Sequence, residues 1–76
     1  MMIPYSKTLI VGELLRTCVN SAGFLETLVK EFPDADDDYL LEVIDSFKRF
    51  TMINYFETRI LNETVEIIKE RIMGKV

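Results

Sequence analysis

The chain of 76 residues has no histidine, no tryptophan, one cysteine, two prolines and three glycines. Each shortage removes a class of function. Without histidine, the commonest general base and the commonest metal ligand are missing. No grouping of cysteine and acids has zinc spacing, and no Gly-rich segment is present to cradle a phosphate. Cys18 has no second thiol to pair with, which fits a reducing, cytoplasmic setting. It falls in an apolar stripe, where cysteine acts as a small core residue rather than a reactive thiol. Neither a cofactor nor enzymatic activity is expected from this inventory.

Long apolar runs are lacking as well. No stretch approaches the ~18 uninterrupted apolar residues of a spanning helix. Leu9-Ile10-Val11 is soon broken by Glu13 and Arg16, and no small-residue cleavage pattern follows. Neither a membrane span nor a signal peptide is expected, so the Asn62-Glu63-Thr64 glycosylation sequon carries no weight. Basic residues are outnumbered, nine Lys and Arg against 13 Asp and Glu, for a net charge of −4. Nucleic acid is thereby disfavoured as a partner, because non-specific affinity comes from neutralising phosphates. The one compact basic pair is Lys48-Arg49.

What remains is 49% hydrophobic and 29% charged, the composition of one small globular domain. Its organising stretch runs from Phe32 to Leu41. Pro33 cannot continue the helix before it, and four aspartates follow. Asp34 or Asp36 can cap free helical amides there, while Asp37 and Asp38 suit the positive end of the helix dipole. Leu40, Val43, Ile44 and Phe47 then repeat at helical spacing, which predicts a helix from about Asp36 to Phe50.

Upstream, residues 1–5 read as an extended lead-in. Ser6 is the expected cap of a helix over 7–20, with Ile10, Val11, Leu14, Leu15, Cys18 and Val19 as its stripe. Gly12 weakens that helix by about 1 kcal/mol relative to alanine, or lets another helix approach closely. Ser21 is the expected cap of a second helix over 22–32, carrying Phe24, Leu25, Leu28, Val29 and Phe32. The alternative is one helix over 7–32 bent at Gly23. Glu26 and Lys30 stand at the favourable i, i+4 spacing, and Asp45 faces both Lys48 and Arg49. Downstream, 50–56 is rich in aromatic and β-branched residues but has no pairing strand, so a turn is expected. Asn54 and Glu57 form a capping-box pattern that opens a last helix, for which Gly74 offers a left-handed stop. The expected fold is all-α: a small bundle of four helices with short connections, the first two separate or merged.

Three patterns bear on binding. Asp34, Asp36, Asp38, Glu42 and Asp45 approach the spacing of a calcium-binding EF-hand loop. Tyr39, however, takes the place of its obligatory glycine, and helix capping explains the same residues. Tyr39, Tyr55, Phe47, Phe50 and Phe56, with Lys48, Arg49 and Arg59 among them, suggest a stacking platform for single-stranded nucleic acid. Helical spacing of the aromatics favours core instead. Finally, Phe24 to Leu61 resembles a CUE domain, a three-helix ubiquitin-binding module. Phe32-Pro33 matches the end of that family's first helix, Asp36 its polar cap and Ile60-Leu61 its third-helix pair. Glu31 and Ile60 stand where the family has methionine and leucine, and residues 7–20 have no counterpart. The resemblance implies a ubiquitin-binding surface of Phe32, Pro33, Ile60 and Leu61.

The last helix holds more apolar residues than one face accommodates. A core-facing helix uses about three positions in seven, whereas Ile60, Leu61, Val65, Ile67, Ile68, Ile72 and Met73 exceed that. Ile60, Leu61, Ile67, Ile68 and Met73 are accordingly the expected partner-binding residues, and a twofold homodimer through this helix is the expected assembly. The functional expectation is a small non-enzymatic protein-interaction module, a regulator or inhibitor that occupies a partner's surface.

Overall fold

The computed structural model describes residues 4–74. It holds four helices, α1 (Tyr5–Thr17), α2 (Ser21–Glu31), α3 (Asp37–Phe50) and α4 (Tyr55–Gly74), with no strand among the described residues. The all-α bundle is thus the observed architecture, and α1 and α2 are separate helices. Of the expected lead-in, residues 1–3 lie outside the described residues, and Tyr5 is already helical.

Local chemistry sets each boundary. Pro4, not Ser6, holds the N-cap position of α1 in extended conformation, and its carbonyl accepts from the Lys7 N–H at 3.0 Å. The proline ring already supplies the φ needed ahead of a helix, so α1 begins earlier than expected. It also ends earlier, because Cys18 is extended. The α2 cap is Asn20 rather than Ser21, its side-chain oxygen accepting from the Gly23 N–H at 2.7 Å. Asp36 caps α3, accepting from the Tyr39 N–H at 2.8 Å. Asp37 and Asp38 occupy the first turn of α3 and Lys48 and Arg49 its last, so both ends complement the helix dipole. Residues 51–54 connect α3 to α4, a shorter connection than the turn expected over 50–56, because Phe50 is still helical and Tyr55 and Phe56 already are. Asn54 and Glu57 close a reciprocal capping box, with bonds of 2.8 and 3.0 Å. No described residue has positive φ, and Gly74 is the last residue of α4, so the left-handed stop is not seen there.

Packing is interleaved: α1 lies on α3 and α2 on α4, with further contacts between α1 and α2 and between α3 and α4. Phe24, Leu28, Leu40, Val43, Ile44, Leu61 and Ile68 are fully buried at the centre. Gly12 serves the close approach. A Cβ there would lie 3.3 Å from Cε1 of Phe47, so α1 and α3 meet over the missing side chain. Because α4 touches both α2 and α3, it buries a broader stripe than a helix with one neighbour. Ile60, Leu61, Thr64 and Ile68 are buried, and Val65, Ile67 and Ile72 pack against the core from its margin. No helix among the described residues is long and apolar enough to cross a membrane.

Candidate interaction surface

Four of the exposed large apolar residues, Tyr5, Leu9, Phe50 and Met52, gather where α1 begins and α3 ends. Tyr5, Leu9, Gly12 and Arg16 follow one another at intervals of three or four residues, which places them on a single face of α1. Across from them stand Phe50, at the last position of α3, and Thr51 to Ile53 of the α3–α4 connection. Together these groups wall a groove of about 340 Å³, and Phe47, whose ring packs against Gly12, also borders it. The side chains are not marginally exposed. Met52 is 99% accessible, Phe50 72%, Tyr5 67% and Leu9 54%. Tyr55 and Phe56, in the first turn of α4, are exposed directly downstream. At about 150–250 Å² per aromatic side chain, the four exposed rings alone present on the order of 400–700 Å² to water.

The charges around this groove are unevenly committed. Arg49 pairs with Asp45 at 2.8 Å and Arg59 with Glu63 at 3.7 Å, while Lys48 donates to Asn62 Oδ1 at 3.1 Å. Glu57, which borders the groove, has one carboxylate oxygen accepting from the Asn54 N–H. Arg16 forms no ion pair among the described residues. The groove is therefore bordered by one charge of each sign, Arg16 and Glu57.

A second cleft, of about 560 Å³, lies at the α2–α3 junction and is bordered by Glu31, Asp34, Asp36, Asp38 and Glu42. Its cation is internal. Lys7 Nζ sits 5.3 Å from the centroid of the Phe32 ring and 5.1 Å from that of Tyr39. The lysine thus ties α1 to the junction through two cation–π contacts. The EF-hand spacing is not assembled into a site: Asp36 caps α3 and Asp45 turns to Arg49. Among the described residues, no group of three or more acids or cysteines is arranged to hold a metal ion.

The residues singled out from the sequence fare unevenly. Ile60, Leu61 and Ile68, expected to bind a partner, are core residues of α4, and Ile67 is half-buried against the core. Only Met73 of that set stands exposed. The surplus of apolar residues in α4 is taken up by its two flanking helices, which pattern within one helix does not reveal. Burial corrects the CUE-like surface too, since Phe32, Ile60 and Leu61 are inaccessible and only Pro33 is exposed. Of the aromatic platform, Phe47 is core and Tyr39 lies under Lys7, whereas Phe50, Tyr55 and Phe56 are exposed. Tyr5, Leu9 and Met52 were missed. Their signal was position off the α1 stripe, and in a turn too short to fold back over them. Compared with known protein families, curated proteins and solved structures, the chain shows no significant match to any.

Proposed function

We propose that this chain is a small, non-enzymatic protein-interaction module that docks a partner protein through the groove between α1 and the end of α3. As a regulator or inhibitor it acts by occupying the partner's surface. A reducing, cytoplasmic setting suits its single half-buried cysteine. The supporting observation is the exposure of Tyr5, Leu9, Phe50 and Met52 around one groove. Aromatic residues and methionine are the types enriched in interfaces, and methionine adapts its shape to what it meets. The test compares partners retained from a lysate of the native host by the wild-type chain and by Leu9→Glu. A partner kept by the first and lost by the second supports the groove. Partners retained equally by both would reject it.

Self-association is the second reading, favoured by the amount of exposed apolar surface. A standard interface buries about 800 Å² per partner, and the four exposed rings supply a large part of that. Light scattering coupled to size exclusion decides it. A particle of the monomer mass, 8.9 kDa, at every concentration would reject a dimer.

A further inference from the structure

We infer that the cleft at the α2–α3 junction receives the side-chain ammonium of a lysine-bearing segment of a partner protein, and that Lys7 holds this place in the free chain. The cleft is separate from the groove between α1 and the end of α3, and neither site requires the other. An ammonium is already seated there. Lys7 Nζ stands 5.3 Å from the centroid of Phe32 and 5.1 Å from that of Tyr39, one ring from each side of the junction. Ring faces gathered about one cation are the means by which proteins recognise alkylammonium groups. Lys7 has no ion pair among the described residues, so the two rings are what hold it.

Charge points to the same occupant independently. Glu31, Asp34, Asp36, Asp38 and Glu42 border the cleft, and all five are exposed. Against the single ammonium of Lys7 they leave a local net charge of −4, as large as that of the entire chain. Elsewhere acids and bases balance. These carboxylates are also uncommitted: none forms an ion pair among the described residues, and Asp36 alone accepts a hydrogen bond, from the Tyr39 N–H. By contrast Glu26, Asp45 and Glu63 each face a basic partner on their own helix. A cleft lined by one sign of charge concentrates the opposite ion and speeds its encounter. Other occupants fit less well. A metal ion needs convergent ligands, and no three acids are so arranged among the described residues. Nucleic acid is repelled by an acidic face. A second copy offers Lys48-Arg49 as its compact basic pair, and both side chains are engaged, by Asn62 and Asp45.

The experiment titrates the isotope-labelled full chain, wild type and Lys7→Ala, with n-butylammonium, which reproduces a lysine side chain, and with a lysine–glycine peptide. Sodium chloride at matched ionic strength is the control. Butylammonium is expected to shift the Tyr39 amide and ring resonances of Lys7→Ala saturably. The peptide should bind Lys7→Ala about tenfold more tightly than wild type, because it no longer has to displace an internal cation. Asp38→Asn combined with Glu42→Gln, both at exposed positions, should weaken the peptide about tenfold with the circular dichroism unchanged. Leu9→Glu should bind it as wild type does, and loss there would move the contact to the groove and overturn the cleft. Shifts that sodium chloride reproduces would overturn the site as screening alone. Equal peptide affinity for wild type and Lys7→Ala would overturn Lys7 as the place-holder. Should Lys7→Ala unfold, the wild type and the doubly substituted chain still decide, since equal affinity for those two would overturn the charge assignment.

Discussion

Arg71→Met tests which electrostatic contact in this fold matters. Arg71 Nη2 lies 3.1 Å from Asp37 Oδ1, joining the last turn of α4 to the first residue of α3. The Asp37 side chain is only 7% exposed, and Arg71 is 45% exposed. Methionine retains most of the apolar stem, so the substitution removes mainly the guanidinium. Breaking a fully buried pair costs about 3–5 kcal/mol, and an exposed one about 0.2–1 kcal/mol. Here one partner is buried and the other half in water. Asp37 is also favoured by the positive end of the α3 dipole. The expected loss is therefore intermediate, about 1–2 kcal/mol, which corresponds to a fall in Tm of about 5–15 °C for a domain of this size. Urea unfolding should show a lower midpoint at unchanged slope. The control is Arg49→Met. Its ion pair with Asp45 is shorter, at 2.8 Å, but both side chains are more than half exposed. If burial governs, this change costs under about 0.5 kcal/mol. A loss at Arg49 equal to or above that at Arg71 would refute the reasoning, as would a loss below about 0.3 kcal/mol at Arg71.

The remaining expectations concern core, cap and groove. Ile44→Ala, at a fully buried position, should cost about 2–5 kcal/mol in denaturant unfolding, whereas Leu9→Ala should stay within about 0.5 kcal/mol. Asn54→Ala removes one half of the capping box and should cost about 1 kcal/mol, read as a lower Tm with helix content retained. Gly12→Leu drives a side chain against the Phe47 ring and should lose about 1–3 kcal/mol by thermal melting despite better helix propensity, whereas a stabilised variant would mean that the ring yields freely.

What could be read from the chain was whatever is decided within one helical turn. Asp36 at the head of α3 and the Asn54–Glu57 pair at the head of α4 are local hydrogen-bond exchanges, so pattern alone located both helices closely. The Asn20 cap shows the limit of that reasoning. Asn20 and Ser21 are both good capping types one residue apart, and the geometry of a single oxygen facing the Gly23 N–H separates them. Non-local packing was not legible. The apolar surplus of α4 suggested a partner because the helix pattern does not say how many neighbours it has. Likewise Gly12 could be read as tolerated weakness or close approach, and only the crossing over Phe47 decides. The exposed end lies beside the same crossing, where Tyr5 and Leu9 continue the face of Gly12 but remain accessible.

The alternating contacts of the four helices, first with third and second with fourth, determine how the chain can be divided. Cutting at Pro33 would separate α1–α2 from α3–α4 and strip every helix of one of the two neighbours against which it packs. Neither half is then expected to fold alone, which circular dichroism of the separate peptides would check. Structure has to form across the junction before either hairpin is stable, so partial folding gains little and the transition should be all-or-none. The same arrangement makes the two halves natural complements: peptides 1–33 and 34–76, each disordered alone, should fold when mixed. A protein built this way has a split-reporter architecture already present in its topology, with reassembly signalled by the return of helix.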